Sequence, residues 1–231
     1  MEKPNLINTE KYTKKIENSD LGLGNEEREF EYSQAWFRLG KAFNRITREK
    51  GKTTIDLGNF SIEEWSSDVR DDPDFGVGVK KLERLIVRDG KEEIDVLGTL
   101  SGIPSIYYDP FPLQLDGGSL LHLGGRRIIF IQGDISMPRN FVILLHEIGH
   151  FVDSSNLENV GVTSMMTEGD NSDIAEMIRK ERTADAFVLK VMRPFVKDKQ
   201  LKNDILTFIK DGSLATYYHD AKKRISDQKN K

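Results

Sequence analysis

The chain contains no cysteine. A disulfide framework, a thiolate nucleophile and a cysteine-ligated zinc site are all excluded. Long apolar runs are also absent. The longest, such as FVILL at 141–145, are far below the ~20 residues needed to cross a bilayer. The opening MEKPNLINTEKYTKKIENSD lacks the apolar core of a signal peptide. Neither charge dominates: 34 Lys and Arg face 38 Asp and Glu, for a net charge of −4. Bulk electrostatics therefore supply no pull toward nucleic acid or an anionic membrane. These absences set the expectation of a soluble cytoplasmic protein with no membrane partner. Histidine is scarce as well, with four in 231 residues, so its placement is informative.

With 37% hydrophobic and 31% charged residues, the chain is polar yet able to bury a core. Residues 1–24 are polar and read as a flexible tail. Residues 25–231 read as one domain, mainly helical over 25–100, with a sheet and active-site helices over 101–231. In the helical part, Asn25 can cap a helix that Gly51 ends, with Tyr32, Trp36, Leu39, Phe43 and Ile46 as its apolar stripe. Ser61 and Glu64 fit a capping box, which predicts a short helix. VKKLERLIV and KEEIDVLGTLSG predict two more helical segments, split near Gly90. IPSIYY, GSLLHL and RRIIFIQ are short, β-rich and bounded by Gly and Pro, which predicts a small, mostly antiparallel sheet. Helices are expected from Pro138 through the 146–150 region, and from about Ser172 to Met192. Two more are expected in the last 35 residues, broken at Asp211-Gly212. The fold class implied is α+β.

His146, Glu147 and His150 spell H-E-x-x-H. Residues four apart on a helix lie one above the other, so both imidazoles reach a common metal ion. Glu147 sits about 100° round from His146, placed to hold a water rather than to ligate in the same way. Zinc lowers the pKa of such a water toward ~7. Glu147 would take its proton and later pass one to a leaving amine. The alternative is a core helix whose histidines bond to carbonyls. Gly149 costs ~1 kcal/mol against Ala inside a helix, which makes sense where a backbone or ligand comes close.

A third protein ligand is needed, with the fourth position open. The metzincin continuation would require Gly at 153 and His at 156, where this chain has Asp153 and Asn156. The better candidate is Glu181. On its helix Ile174, Met177, Ile178, Ala184, Val188 and Val191 make an apolar stripe, and Glu181 falls inside it. A carboxylate there needs a compensating cation. Asp185, one turn on, is placed to accept from a ligand-histidine N–H. Pairing of Glu181 with Lys180, Arg182 or another helix is the alternative, in which case Asp153, Glu158 or His219 would be the third ligand.

H-E-x-x-H followed by a separate E-x-x-x-D helix resembles the gluzincin metallopeptidases. More closely, RIIFIQGDISMPRNFVILLHEIGHFVD followed by ERTADAFVLKVMRP resembles the ImmA/IrrE family, with Glu181, Ala184, Phe187 and Pro194 at the places of its E-x-x-A-x-x-F…P helix. The match covers roughly residues 94–195. GHFVD with Asp153 is also similar to lethal-factor-like metallopeptidases, and the helix-turn-helix that many ImmA/IrrE members carry is absent from the motifs found. The resemblance implies a zincin-like fold, Zn2+ as cofactor and a zinc-dependent endopeptidase acting on a specific protein partner, such as a repressor. It implies His146, His150 and Glu181 as ligands, Glu147 as general base and Asp185 behind the ligands.

Weaker signals accompany these. Tyr217 and His219, in TYYHD, are candidate stabilisers of a tetrahedral intermediate; packing or surface aromatics are the alternative. His122 reads as structural. RRIIFIQ is either an edge strand that pairs with an extended substrate or a central strand. Arg38, Lys41, Arg45 and Arg48 make a basic stripe on the first predicted helix, a solvated face or an anionic-partner site. The leading expectation is a hydrolase, a metalloprotease of narrow specificity. The rivals are a catalytically silent zincin-fold regulator and a nucleic-acid or repressor-binding module using the stripe.

Overall fold

The computed structural model describes residues 34–35, 37–57, 60–69, 74–100, 102–111, 117–123, 125–154, 171–192, 199 and 203–207. The expected tail, Tyr217, His219 and the break at Asp211-Gly212 lie outside them. The fold is mixed α+β with a mostly antiparallel sheet. Its strands are β1 (Ile46–Glu49), β2 (Lys52–Asp56), β3 (Phe60–Asp68), β4 (Lys80–Asp89), β5 (Glu92–Asp95), β6 (Ser105–Asp109), β7 (Gly117–Leu123) and β8 (Arg126–Gln132). The order across the sheet is β1-β2-β3-β4-β6-β8-β7, with β5 paired to β4. Among the described strands only the β6–β8 pair is parallel. Two long helices carry the candidate site: the motif helix, Pro138–Ser154, and the Glu181 helix, Asn171–Val191.

The three strands expected after residue 101 form where the pattern placed them. The expectation for residues 25–100 is corrected. Residues 34–35 and 37–42 are helical, but the chain then enters β1, and Gly51 turns the β1–β2 hairpin at φ 73° rather than ending a helix. Leu39 and Phe43 of the proposed stripe are buried, whereas Ile46 belongs to β1 and Tyr32 and Trp36 lie outside the described residues. The capping-box residues Ser61 and Glu64 stand on β3. VKKLERLIV is mostly β4, and KEEIDVLGT is β5 plus one short helical turn, Val96–Thr99. Gly90, at φ 59°, turns the β4–β5 hairpin. The sheet is therefore not small: five of its eight strands come from residues 46–95.

A β-bulge accounts for the misreading of β4. Trp65 pairs with Arg84 and Ser66 with Leu82, so Glu83 has no partner of its own across the ladder. The extra residue lets Leu82 and Leu85, three apart, both face the core at 3% and 0% exposure. That spacing imitates a helical stripe. Pairing with β3 and β6 then outweighs the helix propensity of Lys, Leu and Glu.

The sheet buries both faces. Ile55, Ile62, Leu85, Ile106, Ile129 and Ile131 share one core with Phe141, Leu144, Leu145 and Ile148 of the motif helix. On the other face Tyr107 and Ile128 pack with Val79, Phe75 and Phe130, and Phe75 stacks on Tyr107 at 4.2 Å. Neighbours in sequence, such as Ile128 and Ile129, thus serve opposite faces, as a period of two requires. At the far end of the described chain, Arg38 holds the buried Asp204 with hydrogen bonds of 2.6–2.9 Å, tying 203–207 to the first helix.

Candidate metal centre

The motif helix is buried nearly all round, between the sheet and the Glu181 helix. Phe141, Leu144, Leu145 and Ile148 are each 0% exposed, which fixes the helix's rotation and leaves His146, Glu147 and His150 half-buried on the remaining face. Gly149 sets how closely the two helices meet. A Cβ there would stand 2.7 Å from the Ala184 Cα and 2.8 Å from its carbonyl oxygen. The expectation that Gly149 admits a neighbouring backbone is met by Ala184. The same contact brings Glu181, three residues before Ala184, to both histidines and Asp185, the residue after it, to His146.

His146 Nε2 lies 3.1 Å from Glu181 Oε2, and His150 Nε2 lies 3.4 Å from Glu181 Oε1. The rings meet edge-on, with centroids 4.5 Å apart. His146, His150 and Glu181 are the one group of this kind among the described residues with ligand atoms all within 4.8 Å of one another, and it could hold a metal ion. The donor set fits. Ligands about 2.0–2.1 Å from a tetrahedral ion stand roughly 3.3 Å apart, close to both observed separations. His146 Nδ1 is engaged by Asp185 Oδ1 at 2.9 Å, and Asp185 is 2% exposed. With Nδ1 turned to Asp185, Nε2 is the nitrogen that faces Glu181 and would ligate once its proton is displaced.

The electrostatics explain how such groups are buried together. Burial alone would lower the His146 pKa, but hydrogen bonds to Asp185 and Glu181 outweigh it and raise it to about 10. Burial would raise Glu181, yet its bonds to His146 and His150 hold it near 2. The shifts favour an imidazolium at His146 paired with an ionised Glu181, whereas burial pushes the Asp185 carboxyl up despite its bond to His146. Metal binding displaces the imidazolium proton. Glu147 is pushed up, first by burial and then by the Glu181 charge, against the opposing pull of the two histidines.

The geometry brings His146, His150, Glu181 and Asp185 together as the spacing argued, with Glu147 beside them. It adds Gly118, which the sequence pattern did not single out. Gly118 opens β7 against the motif helix, where a Cβ would stand 2.5 Å from Ile143 Cγ2 and 3.0 Å from Glu147 Cγ. The paired glycines at 117–118, inside a strand pattern, were the available signal for a close approach. RRIIFIQ is central: β8 lies between β6 and β7, and β7 is the outermost strand among the described residues. His122 is on β7, opposite Arg127. The side chain of Asp153 and all of Glu158, Tyr217 and His219 lie outside the described residues.

The basic stripe is not a helix face. The helix ends before Arg45, Arg48 sits on β1, Arg38 is engaged by Asp204, and Arg48 bonds Asp134 and Ser136. No helix among the described residues is long and apolar enough to cross a membrane.

No family model, curated protein or solved structure matches the chain.

Proposed function

We propose that the chain is a zinc-dependent endopeptidase of zincin-like fold that cleaves a specific protein partner, as its resemblance to gluzincins and the ImmA/IrrE family implies. The observation that carries this reading is the convergence of two imidazole Nε2 atoms on one carboxylate at 3.1 and 3.4 Å, with a glutamate next in sequence to the first histidine. Two nitrogens and one carboxylate oxygen, with a fourth position left for water, are the donor set of catalytic zinc sites. A bound zinc ion would polarise the scissile carbonyl and lower the pKa of a water.

The chain's own residues do the rest. His146 and His150 offer Nε2, and Asp185, bonded to Nδ1, turns the His146 Nε2 toward Glu181. Glu147, its carboxyl raised by burial, is placed to take a proton from that water and return it to the leaving amine. Gly118 keeps β7 close enough to confine the Glu147 side chain. β7, the outermost strand among the described residues and beside the motif helix, is the backbone edge proposed to pair with an extended peptide. A cytoplasmic setting and a repressor-like substrate belong to this proposal.

The test pairs wild type with Glu147→Gln, both loaded with zinc. Each is incubated with a soluble proteome, and new protein N-termini are mapped by mass spectrometry. The expected result is a small set of cleavages made by wild type alone, with equal zinc in both proteins. Identical termini with equal zinc would overturn the peptidase reading in favour of a silent, metal-holding regulator.

A further inference from the structure

A second buried acid lies away from the metal centre. Glu64, on β3, is 1% exposed, and its Oε1 has no hydrogen-bond partner. It stands on the helix-facing side of the sheet, in a row with Arg48 of β1, Thr53 of β2 and Leu85 of β4. Arg48 reaches past it to the turn between β8 and the motif helix, bonding Asp134 Oδ2 at 3.1 Å and Ser136 Oγ at 3.0 Å. That turn seats the start of the motif helix. The Ser136 amide and hydroxyl donate to Asp134 Oδ1 at 2.9 and 2.7 Å. The Met137 amide and the Asn140 side-chain amide donate to the Asp134 carbonyl at 2.9 and 3.1 Å.

The charged and titratable groups acting on Glu64 are Arg48 of β1, Asp134 of the turn and Tyr108 of β6, whose hydroxyl donates to Ser66. Thr53 and Leu85, its neighbours on β2 and β4, do not titrate. A buried carboxyl with an unpaired oxygen sheds its charge unless a cation compensates it. The one cation of this set, Arg48, is committed to Asp134 and Ser136. An ionised Glu64 would compete for it and repel Asp134.

We propose that Glu64 is a proton-operated clasp: neutral, it lies beneath the Arg48–Asp134–Ser136 bridge, and ionised, it draws Arg48 away and loosens the turn that seats the motif helix. Burial first, and then the Asp134 charge, push the carboxyl up to about 8, against the pull of Arg48. The release therefore falls in a physiologically reachable range. The inference does not rest on the peptidase reading, because it concerns the seating of the helix and not the use of its histidines.

Amide exchange of wild type and Glu64→Gln, followed between pH 5.5 and 8, tests it. The reporters are Met137, bonded to Asp134, and Phe141, bonded to Met137; amides of β8 serve as controls. After correction for the intrinsic rate, protection of the two reporters should fall in wild type by up to about tenfold per pH unit. It should stay flat in Glu64→Gln, and β8 should keep its protection in both. Equal behaviour of the two proteins, or a loss in wild type that includes β8, would overturn the clasp. Where Glu64→Gln fails to fold, the infrared carbonyl band of labelled glutamate in Glu147→Gln decides. A protonated carboxyl seen at pH 6 and lost by pH 9 supports the clasp, and its absence at pH 6 overturns it.

Discussion

Two of the places where this molecule buries carboxylates handle the charge in opposite ways. At the candidate metal centre Glu181 is met by His146 and His150, whose hydrogen bonds hold its carboxyl down near 2 against its burial. On β3, Glu64 has an unpaired oxygen and a carboxyl raised to about 8. The first lies on the half-buried face of the motif helix, and the second near the turn that precedes its start. The contrast teaches that burial does not fix the state of an acid. A hydrogen-bonded cation can hold the charge of a buried acid, as at Glu181, and without one burial pushes the acid toward its neutral form, as at Glu64. A cluster whose imidazolium is replaceable by a metal ion is a binding site in waiting, whereas a lone neutral acid is a load on the fold.

The sharpest break in that comparison comes from deleting a ligand. His146→Ala and His150→Ala should each lose stoichiometric zinc, with affinity down by well over 100-fold, beyond the 10–100-fold typical of outer partners; metal analysis after dialysis reads this.

Next in size is the pH response of Glu64. Its folded pKa, about 8, lies above the unfolded value of 4.5. Between those values the unfolded chain binds fewer protons than the folded one. Stability therefore falls as pH rises through the window, by up to about 1.4 kcal/mol per pH unit. Urea midpoints measured from pH 5 to 8 should converge on, then drop below, those of Glu64→Gln, and parallel curves would contradict the neutral-acid account.

A smaller effect is expected at the partner of the ligand. Asp185→Asn keeps the shape but removes the charge that orients His146, so zinc affinity should weaken about 10–100-fold, read by competition with a chelator. Smallest is Gly149→Ala. Its methyl group meets the Ala184 backbone, which cannot swing aside as a side chain would. A loss of about 1–3 kcal/mol is expected for such overpacking, with some loss of zinc affinity as Glu181 is pushed back. An unchanged melting temperature would show that the helices are not in the close contact described.

The same comparison shows what was legible in the sequence. The side-chain cluster that could hold a metal ion was legible because it rests on helical spacing: His146 and His150 four apart, and Glu181 and Asp185 four apart within an apolar stripe. Glu64 was misread as part of a capping box because Ser61-x-x-Glu64 fits one, and nothing local shows that β2 and β4 flank it. The bulge at Glu83 hid β4 in the same way, by giving a strand a three-residue repeat. Short-range periodicity decides elements whose partners lie within a turn or two. It fails where the deciding contacts come from strands far along the chain, as the Arg48–Thr53–Glu64–Leu85 row does. Gly118 belongs to that second class, since the helix it meets begins 20 residues later (138 − 118).

The most direct test of the central claim, that His146, His150 and Glu181 jointly hold one ion, is X-ray absorption at the zinc edge on the loaded protein and on Glu181→Ala. The account predicts one zinc per wild-type chain, bound by nitrogen and oxygen at about 2.0–2.1 Å, with the outer-shell pattern of two imidazoles. It also predicts weaker binding and an altered first shell in Glu181→Ala. Wild-type protein without stoichiometric zinc, or a spectrum that Glu181→Ala leaves unchanged, would contradict it.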